Sequence, residues 1–313
     1  MDWDVVVVGA GAAGLVAAER AATAGLRTLL LEKNRKPGVK ILMSGGTRCN
    51  LTHDTDARGI VAAYGPPGRF LHSSLAALGP ADLVELVESE GVPTKVESTG
   101  KIFPTSNKAI DVLNAFLARL DRSGCQLALE ESLVDLERID REFRLTTSEG
   151  QKTASRVIIT TGGQSYPGCG TVGDGYRWAA QLGHNIIPPR PALVPVTSKA
   201  GWVRSLSGIT IPDVTLRLIE PGAEPRILDT RRGSLLFTHF GLSGPVVLDI
   251  SRHISGHAQP QSLSLDCNFL PTVGANELDQ SLKKQCSTDG KKQLVSLVPE
   301  ILPRRLAEEL VRN

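Results

Sequence analysis

The stretch VVVVGAGAAG, residues 5–14, decides the fold of this 313-residue chain. Its run of valines predicts a short strand that is buried on both faces, as in a parallel sheet. Gly9, Gly11 and Gly14 follow in the spacing G-x-G-x-x-G, and the alanine-rich segment after them predicts a helix. The stretch therefore predicts a strand, a tight turn and a helix, the unit that binds the diphosphate of a dinucleotide.

An acidic residue at the end of the next predicted strand completes this pattern. The segment LRTLLLE, residues 26–32, predicts a strand that ends at Glu32. A carboxylate at this point can accept hydrogen bonds from an adenosine ribose, while the helix N-terminus presents N–H groups to the phosphates. Because NAD and FAD both bind such units, the pattern predicts a dinucleotide without choosing between them.

Composition narrows the classes of protein. A chain of 313 residues is long for a single core, so two domains are expected. The formal net charge of +2 shows no basic footprint, so a nucleic-acid partner is neither demanded nor excluded. The cysteines lack a C-x-x-C pair, and the N-terminus resembles neither a secretory signal nor a membrane span. We expect a cytoplasmic protein with reduced thiols and no membrane partner. Its oligomeric state is left open.

The segment GVKILMSGGTRCNLTH, residues 38–53, fits neither helical nor strand periodicity and predicts a loop. Gly45 and Gly46 permit close approach to a ligand. Four side chains supply charge and hydrogen bonds for a cofactor: Lys40, Ser44, Arg48 and Asn50. Cys49 has two interpretations, a redox partner or a packing residue. Packing is favoured because no second cysteine lies nearby in the sequence.

Further along the chain, GCGTVG at residues 168–173 is a second literal G-x-G-x-x-G. No acidic residue follows about 20 positions later, so we interpret it as part of the first pocket and not as a nicotinamide site. The proline-rich segment 187–195 marks the exit from the first domain. After it, segments such as SLLFTHFGLSGPVVLDIS show strand alternation, which favours a small barrel or sandwich, and the tail predicts helices.

Several stretches together resemble one family, the BaiN/YhiN-like flavoproteins, also called the aminoacetone oxidase family. They are VVVVGAGAAGL, KILMSGGTRCNLTH, GKIFPTSNKAIDVLNAFL, TGGQSYPGCGTVGDGYRWAAQLGH, PALVPV and LLFTHFGLSGP. The resemblance implies an α/β fold with a glutathione-reductase-like FAD-binding Rossmann domain over residues 1–190. It further implies an inserted, mainly β, barrel-like domain over 191–272 and a small helical tail over 273–313.

The resemblance also implies the cofactor, FAD, with NAD(P)H as a candidate electron donor. It places residues 38–50 beneath the flavin, the backbone near Val134 at the adenine, and the turn at 161–163 against the cofactor. The complete predicted cofactor-binding set is Gly9, Gly11, Ala12, Ala13, Gly14, Glu32, Lys33, Lys40, Ser44, Gly45, Gly46, Arg48, Cys49, Asn50, Val134, Thr161, Gly162 and Gly163. The histidines lack metal-ligand spacing, so no metal site is predicted.

The predicted activity is an FAD-dependent oxidoreductase that transfers a hydride between flavin and a small organic substrate. One alternative is a flavin-dependent reductase of a C=C bond in an RNA base, and another is a nucleotide-binding remnant without turnover. His239 is the candidate proton carrier, with a structural turn histidine as the plainer interpretation. The relatives continue into a C-terminal segment that returns to the first domain, which this sequence lacks. We therefore expect a shortened chain with loose FAD binding or marginal folding.

Overall fold

The computed structural model describes residues 2–288 and 302–312, so part of the predicted helical tail, residues 289–301, lies outside the described residues. The chain divides into two compact units, Met1–Ile187 and Pro188–Asn313. The further division predicted at residue 272 stays a prediction.

A six-stranded sheet forms the centre of the first unit. Its strands are β1 (Trp3–Val8), β2 (Thr28–Leu31), β6 (Gln126–Ala128), β7 (Leu133–Ile139), β8 (Glu142–Thr147) and β9 (Gly150–Ile159). The order across the sheet is β6-β2-β1-β9-β8-β7. The first four strands in that order are parallel, and β8 and β7 continue the sheet in antiparallel pairing. This mixed α/β arrangement is the Rossmann-type fold that the sequence predicts.

The valines of β1 explain why this strand lies at the centre. Val5 and Val7 pack with the helices on one face, whereas Val6 and Val8 pack on the opposite face. All four side chains are buried, as the uninterrupted apolar run predicts.

The remaining elements of the first unit surround this sheet. The helices are α1 (Ala12–Thr23), α2 (Val39–Thr47), α3 (Ala57–Tyr64), α4 (His72–Ala77), α5 (Pro80–Glu88), α6 (Ala109–Arg122) and α7 (Asp174–Gln181). Short 3-10 turns cover Pro66–Leu71 and Pro167–Cys169. A small antiparallel sheet, ordered β3-β5-β4, contains β3 (Thr52–His53), β4 (Thr94–Val96) and β5 (Lys101–Pro104). This small sheet contacts the helices of the first unit, because its strand β5 lies against α6.

The segment predicted as a loop from residue 38 begins instead as the helix α2. Regular helical geometry ends at Ser44 (ψ 147°), and Gly45 and Gly46 adopt positive φ angles of 57° and 67°. The helical part was missed because it lasts about one turn, which is too short for periodicity to reveal. The two glycines take the left-handed conformation, which costs glycine little.

The second unit is built on an antiparallel sheet. Its strands are β10 (Val196–Thr197), β11 (Thr210–Glu220), β12 (Arg226–Thr238), β13 (Gly241–Ser243) and β14 (Ser264–Asn268), in the order β10-β13-β12-β11-β14. The helices are α8 (Gly201–Ser205), α9 (Pro245–Gly256), α10 (Ala275–Thr288) and α11 (Arg304–Arg312), with a 3-10 turn at Pro260–Ser262. The mainly β character and the helical tail are confirmed.

One strand prediction in this unit is wrong. PVVLDIS, expected to continue the strand pattern, forms the first turns of α9. Pro245 is the first helical residue, where its missing N–H costs nothing. Val246, Val247 and Ile250 then recur at helical spacing and are buried against the sheet core.

Within the described residues, no single helix has the length and apolar character to cross a membrane. The bent pair Pro66–Ala77 and Pro80–Glu88 reaches that length and composition only jointly. The same residues contain no cluster of His, Cys, Asp and Glu that could hold a metal ion.

Candidate functional site

A cavity of about 280 Å³ opens at the carboxyl end of β1. The chain leaves β1 toward β2 on one side, and β9 pairs with β1 on the other. In open α/β sheets, ligands bind in the crevice that such a reversal of strand order creates. The cavity lining includes the glycine turn 9–13, the end of β2, and the turn 160–162 after β9.

The three glycines of the turn have different surroundings. Gly9 has a φ of +102°, which a side chain would strain. A Cβ on Gly14 would lie 1.8 Å from the carbonyl oxygen of Gly9, so only glycine lets α1 pack this close to the strand. A Cβ on Gly11 would meet nothing within 4 Å, because Gly11 faces the cavity. This open approach at the middle glycine is what a bound diphosphate needs.

The N-terminus of α1 points its backbone into the same cavity. No side chain caps this helix, and Ala12 and Ala13 of its first turn line the cavity. The leading N–H groups of an uncapped helix attract an anion. Lys40, from α2, adds a positive charge to the lining. These features suit a phosphate-bearing ligand.

Glu32 is buried at the end of β2, and both of its carboxylate oxygens accept backbone hydrogen bonds. Oε2 accepts from Ala10 N and Oε1 from Asn34 N, each at 2.8 Å. Each carboxylate oxygen has a second lone pair, which leaves capacity for a ribose hydroxyl. Glu32 thus shapes the cavity and can also bind a ligand there.

The glycine-rich segment at 168–173 lies against this cavity and not at a separate site. Cys169, Gly170 and Thr171 contribute to the lining. The carbonyl of Cys169 accepts a hydrogen bond of 3.2 Å from Asn34 Nδ2. Lys33 forms an ion pair of 2.9 Å with Asp174 at the start of α7. These contacts join the end of β2 to the segment before α7 along the cavity rim.

Thr160 ties the turn after β9 to the glycine turn. Its backbone N–H donates to the carbonyl of Val8, and its hydroxyl lies 2.9 Å from the carbonyl oxygens of both Val8 and Gly9. The Thr160 hydroxyl can donate one hydrogen bond, and these carbonyl oxygens provide the acceptor.

Nine of the eighteen residues predicted to bind the cofactor line the cavity: Gly9, Gly11, Ala12, Ala13, Glu32, Lys33, Lys40, Thr161 and Gly162. The other nine lie outside the lining: Ser44, Gly45, Gly46, Arg48, Cys49, Asn50, Val134, Gly163 and Gly14, of which Gly14 lies behind the turn against the carbonyl of Gly9. The structure thus brings the glycine turn, Glu32, Lys33, Lys40, Thr161 and Gly162 together.

Arg48 is already paired with an acid. Its Nη1 lies 2.6 Å from Oε1 of Glu97, and its guanidinium carbon lies 4.0 Å from the centre of the Phe103 ring. The guanidinium holds the pKa of Glu97 below its ordinary value. The charge of Arg48 is therefore balanced by Glu97 in this structure, and its predicted contact with the cofactor stays a prediction.

Cys49 has the environment of a packing residue. It is buried within the helical core beside the central sheet, with a left-handed φ of 64°. Burial raises the pKa of its thiol, although a hydrogen bond with Ser44 partly opposes this rise. A thiol of raised pKa is a poor nucleophile at neutral pH. The packing interpretation fits this geometry better than the redox one.

Leu133, the neighbour of Val134, lines the cavity, and the predicted contact of the backbone near Val134 with the adenine stays a prediction. The carbonyl of Val134 accepts hydrogen bonds from Arg177 Nη2 at 3.1 Å and Trp178 Nε1 at 3.4 Å. The pairing register between β7 and β8 shifts between Leu133 and Asp135. Such an irregularity changes which residue faces a given side of the sheet.

His239 lies in the second unit, in the turn between β12 and β13. Its ring meets the ring of Phe240 edge to face, with 4.9 Å between the centroids. Its role in proton transfer stays a prediction.

Two lining residues carry chemistry that sequence reasoning missed. Glu131 is buried, where its Oε1 accepts from Thr147 Oγ1 at 2.6 Å and pairs with Lys152 at 2.9 Å. Trp178 of α7 is also buried in the lining. Neither has a local signal, because the partners of Glu131 lie on other strands and Trp178 resembles any apolar helix residue.

The chain is similar to known proteins along almost its whole length. A family model described as HI0933-like protein Rossmann domain matches residues 3–294. The chain is 32% identical over 98% of its length to a ribosomal RNA dihydrouridine synthase of Escherichia coli, of which it spans 73%. It is 30% identical to the protein of the same name from Haemophilus influenzae, over 97% of the chain and 72% of that protein. A 3-dehydro-bile acid delta(4,6)-reductase of Clostridium scindens is 28% identical, over 97% and 74% respectively.

Proposed function

The chain belongs to the HI0933-like family of FAD-dependent oxidoreductases, and we propose that it reduces a carbon–carbon double bond in a uridine of ribosomal RNA. Two relatives are named for the formation of dihydrouridine in ribosomal RNA. Dihydrouridine differs from uridine by two hydrogens across one C=C bond, so the reaction is a two-electron reduction. The reductase named for a bile acid substrate supports the same reaction class.

The structural observation that supports the flavin part of this proposal is the open approach at Gly11 before the uncapped helix α1, and the two relatives named above support the RNA part. The residues around it fit FAD. The backbone of Gly11, Ala12 and Ala13 would hold the diphosphate, and Glu32 would accept from the ribose. The cavity volume of about 280 Å³ is near the lower end of ligand pockets, which suits the nucleotide half of FAD.

Bound FAD supplies hydride transfer, a chemistry that amino-acid side chains lack. The chain's own residues would bind and orient this group, and the apolar lining side chains of Leu133 and Trp178 would exclude water from part of the cavity. Reduction of a C=C bond also consumes a proton, and we propose the imidazole of His239 as its source. NAD(P)H is the proposed electron donor, because the reaction consumes two electrons in every turnover.

The first test is the visible absorption spectrum of the purified chain, taken with added FAD and then with NADPH under anaerobic conditions. We expect bound-flavin bands that bleach on reduction and return when unmodified ribosomal RNA is added. Digestion of that RNA to nucleosides and mass spectrometry should reveal dihydrouridine. A chain that binds no FAD, or a reduced flavin that RNA leaves unchanged, contradicts the proposal.

A second candidate is reduction of a small conjugated organic molecule, which the similarity to the bile acid reductase favours. The same reduced protein distinguishes the two candidates. Reoxidation by a steroid enone, with no response to ribosomal RNA, would favour the small-molecule substrate.

A further inference from the structure

One helical segment of the first unit buries almost nothing. It contains α3, the 3-10 turn Pro66–Leu71 and α4, and we call its residues 57–78 the arginine–aromatic surface. Neither α3 nor α4 has a buried residue, and the turn buries only Gly68. A helix on the surface of a globular protein usually buries one apolar stripe. This segment therefore presents an unusual amount of its own side-chain surface to solvent.

The backbone of this segment is nevertheless well defined by local contacts. Asp56 caps α3, where its Oδ1 accepts from the N–H of Gly59 at 2.8 Å. Gly68 packs so closely on α3 that a Cβ there would lie 2.1 Å from the carbonyl oxygen of Val61. The exposed side chains thus stand on a fixed frame, which lowers the entropy cost of binding a partner.

Two aromatic side chains of this surface are strongly exposed. Phe70 is 87% exposed and Tyr64 is 62% exposed. Among exposed large hydrophobic residues of the described chain, Phe70 has the highest exposed fraction. Exposed aromatic rings are unfavourable in water, and in RNA-binding proteins such rings provide the planes on which unstacked bases lie.

The same segment carries positively charged side chains and no negatively charged ones. Residues 57–81 contain Arg58 and Arg69 and no Asp or Glu. Both arginines are exposed, and neither forms an ion pair with a described residue. Elsewhere in this unit some exposed arginines, such as Arg27 and Arg144, are paired with acids, whereas Arg141 also lacks an ion pair among the described residues. The surface therefore complements an anionic partner.

We propose that the arginine–aromatic surface binds single-stranded RNA, with Tyr64 and Phe70 stacking on bases and Arg58 and Arg69 contacting phosphates. Stacking platforms next to unpaired cations are the combination that single strands recognise. Exposed apolar side chains alone would suffice to bind another protein, so a protein partner would leave the two unpaired arginines without a role. The inference rests on the proposed function, since it supplies the surface that would hold the RNA substrate.

The test measures fluorescence anisotropy of a labelled 20-nucleotide single-stranded oligouridine titrated with the full chain. Phe70→Ala and Phe70→Leu should each weaken binding at least about fivefold, because both remove the aromatic plane. Phe70→Leu separates stacking from simple apolar contact. Arg58→Gln with Arg69→Gln should lower the slope of log affinity against log salt by about 1.4, or about 0.7 for each phosphate contact.

Arg141→Gln is the matched control, since Arg141 is an exposed arginine in the turn between β7 and β8. It should leave both affinity and salt slope unchanged. All variants should keep the melting temperature and the FAD affinity of the parent protein, because the substituted side chains are exposed and lie outside the FAD cavity.

The outcomes separate this inference from the proposed function. If ribosomal RNA is reduced but Phe70→Ala binds oligouridine as the parent does, the surface assignment is wrong and the function stands. If the parent neither binds nor reduces RNA, both fail. If Phe70→Ala dissociates a dimer in sedimentation and leaves RNA affinity intact, the surface is a contact between two copies and the inference is overturned.

Discussion

The Glu32 carboxylate accepts a hydrogen bond of 2.8 Å from the backbone N–H of Ala10, which fixes the glycine turn after β1 to the end of β2. Its other oxygen accepts from Asn34, so one buried side chain organises two loops of the cavity. This double role means that the acidic residue supports the shape of the site before any ligand is bound.

We expect Glu32→Gln to weaken both the fold and FAD binding. The amide keeps one oxygen acceptor, and its NH₂ group would face the other backbone N–H without an acceptor. Leaving that buried donor unsatisfied costs about 1–3 kcal/mol. Urea unfolding of the ligand-free protein and FAD titration measure the two effects. Glu85→Gln, at an exposed position of α5, serves as control and should change neither. Equal stability of Glu32→Gln and the parent would show that these hydrogen bonds matter little.

Alanine substitutions at two glycines should separate folding from ligand binding. Gly14→Ala places a Cβ 1.8 Å from the carbonyl oxygen of Gly9, so we expect a loss of about 3 kcal/mol, the upper end of overpacking costs. At Gly11 an added Cβ has open space and the φ is −78°, so Gly11→Ala should cost the ligand-free fold at most about 1 kcal/mol, because alanine is a poorer helix N-cap than glycine. The added methyl group nevertheless enters the cavity and should weaken FAD binding.

Thermal unfolding with and without FAD distinguishes these two glycine effects. The expected result is a low melting temperature for Gly14→Ala in both conditions. Gly11→Ala should melt slightly below the parent without FAD, and the difference should widen when FAD is present. A Gly11→Ala protein with full FAD affinity would mean that the diphosphate does not approach this turn.

The cysteines should differ in their reaction with iodoacetamide. Cys169 lines the cavity and is partly exposed, whereas Cys49 is buried and its pKa is raised by burial. We expect Cys169 to be alkylated before Cys49 and Cys125 in the native protein, with protection when FAD is bound. Cys125, whose pKa is raised to about 11, is the slow internal reference. Mass spectrometry of digested protein gives the rates. Fast alkylation of Cys49 would revive its redox interpretation.

The ion pair between Arg48 and Glu97 should contribute stability only above acidic pH. Arg48 lowers the pKa of Glu97 in the folded state, so the stabilisation is complete above the ordinary glutamate pKa. It is lost as the pH falls through the lowered folded-state value, where the carboxylate becomes protonated. The stability difference between the parent and Glu97→Gln should therefore shrink from pH 7 toward pH 3. Chemical unfolding at each pH measures the free energy of unfolding of both proteins. A difference between them that grows as the pH falls would contradict this prediction.

The part of the site that sequence reasoning predicted is the part formed by neighbours in the chain. The glycine turn, its helix and Glu32 lie within one β-α-β unit, so spacing alone carried the information. The family resemblance added FAD, and the match to the HI0933-like model confirms it at family level. The narrower aminoacetone oxidase assignment stays a prediction.

The parts that sequence reasoning missed depend on partners far along the chain. Arg48 appeared free to bind phosphate because Glu97 is 49 residues away. Lys33 meets Asp174 across 141 residues. The register shift between β7 and β8, at Leu133 and Asp135, likewise depends on the pairing of two strands and has no signal in either strand alone. Local spacing contains no information about such contacts.

The position of β1 between β2 and β9 has a consequence for synthesis of the protein. Val8 pairs with Ile159, and Thr160 reaches back 152 residues to the carbonyl of Val8. At translation rates of about 5–20 residues per second, the glycine turn emerges from the ribosome roughly 8 to 30 s before the strand that completes its cavity. During this interval one edge of β1 has no partner strand. The cavity lining is therefore complete only after its last residues, Asp174 and Trp178, have been synthesised.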